Sequence, residues 1–176
     1  MKRSTVLSTI SSLAIIFSIG LLVIGCGAST TSYQNPAAGI SFQRPASWTS
    51  ETTEGKNMVV AFTGKDGTIF TVHVNSKPGT SPLQAAASWK NLLTSDLMAE
   101  DKITNIQESN TTVGGMPAFK FEYDSVNSTT HDKNHNVDYV VIKGDKETTI
   151  QYSRSSADSS KGSADLQQLI DSFKYQ

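Results

Sequence analysis

Ala118-Phe119-Lys120-Phe121-Glu122-Tyr123 alternates without a break. Phe119, Phe121 and Tyr123 fall on one side and Lys120 and Glu122 on the other, the two-residue period of a β-strand. Upstream, Ile103 to Val113 reads as a strand of weaker pattern, and Gly114-Gly115 turns it back into the aromatic run. Downstream, a polar stretch from Ser125 to Asn136 reads as a long loop. Val137 to Ile142 then carries apolar residues on both faces, which suits a central strand. Lys143-Gly144-Asp145-Lys146 is a turn, and Thr148 to Ser153 pairs back, burying Ile150 and Tyr152. Strands tied by such short turns are antiparallel to their neighbours.

The same grammar extends toward the N-terminus. Gly39-Ile40-Ser41-Phe42-Gln43 alternates, and Pro45 stops it before Trp48. Met58 to Phe62, the turn Gly64-Lys65-Asp66-Gly67 and the return run Thr68 to Val74 make a hairpin. Ser81 followed by Pro82 is a helix start, a capping hydroxyl ahead of a proline suited to the first helical position. Leu83, Ala86, Trp89, Leu93 and Leu97 recur every three or four residues, predicting a helix of about 17 residues with one apolar stripe. Leu166, Leu169, Ile170 and Phe173 mark a second amphipathic helix at the C-terminal end. Helices set among antiparallel strands predict an α+β fold, an antiparallel β-sheet flanked by helices.

The first 26 residues have a separate logic. Lys2 and Arg3 precede a mostly apolar run from Val6 to Ile24, followed by Gly25 and Cys26, the only cysteine in the chain. A positive start, a short apolar core and a small residue before the cut describe a secretory signal. Val23-Ile24-Gly25-Cys26 resembles the bacterial lipobox. On this reading residues 1–25 are a lipoprotein signal peptide. The Cys26 thiol is acylated and anchors the chain to the bilayer, on the extracytoplasmic face of the cell membrane. Residues 26–38, small and polar, read as a flexible tether, and residues 39–176 as the folded domain. Removal of 1–25 leaves 151 residues with 13 basic and 16 acidic side chains, enough for one core and without a basic patch for nucleic acid. With Cys26 acylated, neither a disulfide nor a thiol nucleophile is available.

Tyr33-Gln34-Asn35-Pro36, then Gly39-Ile40-Ser41-Phe42 with Pro45 and Trp48, resembles the opening of PsbP-like domains. Gly114-Gly115-Met116-Pro117-Ala118 is similar to the family's glycine turn before an aromatic strand, and Leu169-Ile170-Asp171-Ser172-Phe173-Lys174 to its closing helix. The resemblance implies a Mog1/PsbP-like fold, with helices on both faces of the sheet as an α/β/α sandwich. It also implies a non-enzymatic accessory domain that engages a protein partner. In a photosynthetic host it implies an extrinsic subunit of photosystem II. Some relatives bind calcium, manganese or zinc.

Among the residues themselves, His131-Asp132-Lys133-Asn134-His135 is the one metal-like cluster. His131 and His135 are four apart and share a face only if the segment is helical, and Asp132 supplies an oxygen. Asp124 and Asp138 flank the loop as further oxygen donors. A divalent metal at His131, Asp132 and His135 is therefore the alternative to a domain with no cofactor. His73 stands alone on a strand face, and Trp48 and Trp89 read as core residues. No Gly-x-Ser-x-Gly elbow occurs, and the glycines of the 64–67 turn do not lead into a helix, so neither a hydrolase nor a phosphate loop is indicated.

Overall fold

The computed structural model describes residues 29–51, 57–95, 101–158 and 163–176. Residues 1–25, read above as a signal peptide, Cys26 and Leu97 lie outside these residues.

The main sheet has seven strands: β3 (Thr49–Glu51), β4 (Met58–Thr63), β5 (Ile69–Ser76), β6 (Asp101–Val113), β7 (Met116–Asn127), β8 (Lys133–Lys143) and β9 (Lys146–Ser155). Their spatial order is β3-β4-β5-β9-β8-β7-β6, every neighbouring pair antiparallel. The chain leaves β5, crosses the sheet through helix α1 (Pro82–Leu93), and enters the far edge as β6. It then returns inward by meander until β9 closes against β5. As its apolar run predicts, β8 is central: residues 136–141 are all buried.

One face of this sheet is covered by α1. Ala85, Ala86 and Leu93, with the partly buried Trp89, pack on Phe121, Tyr123 and Val140. The helix begins as its sequence indicates. The Gln84 amide donates to Ser81 Oγ at 3.3 Å, the Ser81 amide donates to Gln84 Oε1 at 2.9 Å, and Pro82 follows the cap. Leu83 departs from the predicted stripe and is 69 % exposed, because Ala85 and Ala86 are the residues that turn toward the sheet.

The opposite face carries a second, three-stranded sheet together with helix α2 (Ser163–Ser172). Its order is β1 (Thr30–Asn35), β2 (Ile40–Pro45), β10 (Lys174–Tyr175). Here Ile40, Phe42, Phe62, Phe70, Val141 and Ile150 meet Leu166, Leu169, Ile170 and Phe173. Phe42 stacks on Phe173 at 5.5 Å between ring centres and meets Phe70 edge-on at the same distance. Burial of each such ring contributes about 1.5–3 kcal/mol. Trp48 is buried beside Phe70 and Tyr152, as its core reading requires. The fold is thus predominantly antiparallel β with two helices. Strands β1, β2 and β10 share with α2 the layer that an α/β/α sandwich would give to helices alone.

Two further departures from the sequence reading bear on function. Residues 30–35, expected within the tether, form β1. Its main chain pairs with β2, and Tyr33 packs on Phe42 and Phe62. Asn35 Oδ1 accepts the Ala38 amide at 3.0 Å, and Gly39 takes φ +73° to close the turn into β2. The polar stretch 125–136 is mostly strand: β7 runs to Asn127 and β8 starts at Lys133, so only residues 128–132 connect them.

Candidate functional site

Lys120, Glu122 and Asp124 alternate along β7, and the register puts His135 of β8 directly opposite Asp124. All four point to the α2 side of the sheet, where Ala118, Val137 and Tyr139 continue into the core. The alternation alone set Lys120 and Glu122 on the side away from the aromatics, where charged side chains are expected to meet solvent. They are instead partly covered and tied to one another, Lys120 Nζ donating to Glu122 Oε2 at 2.6 Å.

His135 lies between two carboxylates. Its Nδ1 is 3.0 Å from Asp124 Oδ1 and its Nε2 is 3.3 Å from Glu122 Oε1. A ring carrying both protons donates to both acids, whereas a neutral ring donates to only one. The other Asp124 oxygen accepts from Asn105 Nδ2 at 2.8 Å. The result is a chain of polar contacts, Lys120–Glu122–His135–Asp124–Asn105, laid across three strands. Asn105 reaches it because β6 slips register between Thr104 and Gln107, with Asn105 itself at φ +59°. Bulges of this kind re-aim a side chain at a cost in backbone energy. The hydrogen bond from Lys120 holds Glu122 below the usual carboxylate range, against the opposing effect of burial, with His135 assisting. Asp124 is held low first by the Asn105 hydrogen bond and then by His135.

Two hollows flank the imidazole. One, of about 450 Å³, is walled by Thr104, Asp124, Lys133 and Ser156. The other, of about 140 Å³, lies between Glu122, Tyr139, Leu166 and Gln167. His135 borders both.

The structure separates the predicted metal trio. His135 is on a strand, and His131 is in the 128–132 turn at φ +61°, its amide bonded to the Asn127 carbonyl at 2.9 Å. Asp132 Oδ2 accepts the Thr130 hydroxyl at 2.6 Å. A spacing of four shares a face on a helix, but here a turn and a strand divide the segment. Among the described residues, no group of three or more His, Cys, Asp or Glu side chains is placed to hold one metal ion. His73 sits in β5, with burial pushing its imidazole below the ordinary value. Cys26 lies outside the described residues, and none of the described helices is long and apolar enough to cross a membrane.

The sequence reading placed Asp138 only as an oxygen donor flanking the loop, not as a buried acid. It is 1 % exposed, between α1 and the sheet, and its Oδ2 accepts both the Trp89 indole N–H at 3.1 Å and the Tyr123 hydroxyl at 2.9 Å. Burial pushes this carboxyl up to about 7, against the pull of those two donors. Its one signal is an acid inside the otherwise apolar run 137–142. Arg154 is likewise buried, its guanidinium on Asp66 of the β4–β5 turn at 2.6 Å. Asn105 gives no signal at all, since a bulge depends on the partner strand.

A model of the PsbP family matches residues 28–175. Among solved structures, the cyanobacterial PsbP of Synechocystis sp. PCC 6803 has 15% identity, covering 88% of this chain and 99% of its own, with a TM-score of 0.66. The Ran-binding protein Mog1p of Saccharomyces cerevisiae has 11% identity, covering 85% of this chain and 96% of its own, with a TM-score of 0.60. LpqN of Mycobacterium tuberculosis, described as involved in cell envelope biogenesis, has 10% identity, covering 85% and 86%, with a TM-score of 0.57. At these identities the likeness is one of fold. No curated protein matches the chain.

Proposed function

The chain belongs to the PsbP family, and we propose that it is a lipoprotein, held by acylated Cys26 at the extracytoplasmic face of the membrane, whose domain binds a protein partner without catalysing a reaction. The observation that carries the non-catalytic reading is the saturation of the polar chain at His135. A catalytic imidazole needs one ring nitrogen free for the reacting group while the other is oriented. Here Nδ1 and Nε2 each face a carboxylate, and those carboxylates are further engaged by Asn105 and Lys120. Such a network fixes the shape and charge of a surface. The partly exposed side chains Lys120, Glu122 and Asp124 are the part of it that a partner would meet.

The anchor rests on Cys26 behind its apolar leader. A diacylated cysteine gives lasting attachment where a single chain would not. The relation to LpqN agrees with an envelope role, since that protein is described in those terms. The test has two arms in the native host. Cys26→Ala should move the protein from the membrane pellet to the soluble fraction and abolish incorporation of labelled fatty acid. Retention in the membrane without acylation would overturn the anchor. In the second arm, a cross-linkable amino acid at Gln107, beside Glu122, should capture one protein. The double change Glu122→Gln/Asp124→Asn should reduce that capture while the circular dichroism spectrum stays that of the folded parent. Equal capture by the variant would remove this surface from the proposal.

A further inference from the structure

At the end of the molecule where α1 begins, the β1–β2 turn faces the β8–β9 turn across a two-chambered cleft. One chamber, of about 420 Å³, has Met58, Val59 and Val74 as its apolar wall and Asn57 and Asn75 among its polar residues. The other, of about 380 Å³, is lined by Lys143, Thr148 and Tyr175. The chambers share Ala38, Asp145 and Lys146 and so adjoin, each within the size range of small-molecule sites.

Three features give this space a chemical preference. The Tyr175 hydroxyl is buried with no hydrogen-bond partner, the Thr148 side chain lying beside it but outside bonding geometry. Burial holds the phenol well above its ordinary value, so it keeps its proton and remains a donor without an acceptor. A buried donor left in that state costs about 1–3 kcal/mol, which an incoming acceptor would recover. Second, neither Lys143 nor Lys146 forms an ion pair among the described residues. Lys143 Nζ donates to the Gln176 main-chain oxygen at 3.1 Å and lies 5.5 Å over the Tyr175 ring, which fixes its charge at the wall of the second chamber. Asp145 is the one acidic side chain among the residues lining the two chambers, against Lys143 and Lys146. Third, the apolar surface of Met58, Val59 and Val74 is in the first chamber, which Lys146 borders and Lys143 does not.

We propose that this cleft binds a small organic anion with an apolar body. The anionic group accepts from the Tyr175 hydroxyl and neutralises Lys146, and the body lies against Met58, Val59 and Val74. The site is on the α1-start end of the sandwich, whereas His135 is near the other end of β8, so it stands independently of the partner surface described above.

The test uses the ¹⁵N-labelled full chain titrated with 4-phenylbutyrate, with 4-phenylbutan-1-ol and inorganic phosphate as probes of the apolar and anionic halves alone. Amide shifts are expected around Ala38, Gly39, Lys146, Thr148 and Tyr175, with the carboxylate binding roughly tenfold tighter than either half. Tyr175→Phe, which keeps the ring, and Lys146→Gln, at the exposed start of β9, should each weaken it roughly threefold or more without lowering the melting temperature. The proposal fails if no shifts appear at roughly 10 mM ligand or if they map elsewhere. It also fails if the alcohol or phosphate binds as well as the carboxylate, or if both variants bind like the parent.

Discussion

Replacing Asp138 by Asn removes a charge while keeping the shape of the side chain and an oxygen that can accept from Trp89 and Tyr123. In the folded chain burial pushes the Asp138 carboxyl from 3.8 up to about 7, whereas in the unfolded chain it returns to 3.8. Between those values the folded state holds one more proton than the unfolded state. Stability therefore falls as pH rises through the window, at about 1.4 kcal/mol per pH unit. The contribution is fully present below about pH 4 and fully lost above about pH 7, and the three-unit span sets a ceiling of about 4 kcal/mol. Asp66, Glu122 and Asp124 have lowered values, so their contributions are lost at more acid pH, and they and the histidines are common to both proteins. The assay is urea unfolding of parent and Asp138→Asn at steps from pH 4.5 to 8. The stability difference, parent minus variant, should shift against the parent by about 2–4 kcal/mol across that range. Parallel curves would mean that Asp138 ionises as easily folded as unfolded, and the argument from burial would be wrong.

Tyr33→Ala should cost about 2–4 kcal/mol in urea unfolding, because the ring packs on Phe42 and Phe62; no cost would mean that residues 30–35 are tether after all. Leu83→Ser and Leu93→Ala separate the true stripe of α1 from the apparent one. The exposed Leu83 should be replaceable within about 0.5 kcal/mol, while the buried Leu93 should cost about 2–5 kcal/mol by the same measurement.

Wherever side chains of one strand or helix decide burial, the sequence was readable. The run 118–123 and the two-sided 137–142 are strands in the order expected, and Ser81-Pro82 starts α1 where its capping chemistry requires. The features that were not readable depend on a distant neighbour. Thr30–Asn35 has one large apolar anchor, Tyr33, and owes its pairing to the main chain of β2. Residues 125–127 and 133–136 look like loop because they are polar, but they extend strands already aligned by their apolar middles. At the candidate site His135 and Asp124 were singled out as possible metal donors, but the spacing of four that drew attention to His135 carries meaning on a helix and none across a turn and strand. Its real partners, Glu122 and Asp124, come from cross-strand register, and Asn105 from a bulge that no local pattern announces. Asp138 needed Trp89, 49 residues away, to show why an acid lies in a core strand.

The route of the chain across the main sheet also bears on the order of assembly. Strands β6 to β9 meet their neighbours through short connections, so that meander can form from local contacts. The seam between β5 and β9 joins residues such as Phe70 and Tyr152, and the small sheet joins Ile40 to Tyr175. Closing loops of that length is slow relative to a hairpin. The meander is therefore expected to gain structure first, with the β4–β5 hairpin and β1–β2 docking afterwards. Pulsed hydrogen exchange during refolding would report this as early protection in β7 and β8 and late protection in β2 and β5. Simultaneous protection of all four strands would show instead that the seam closes with the meander.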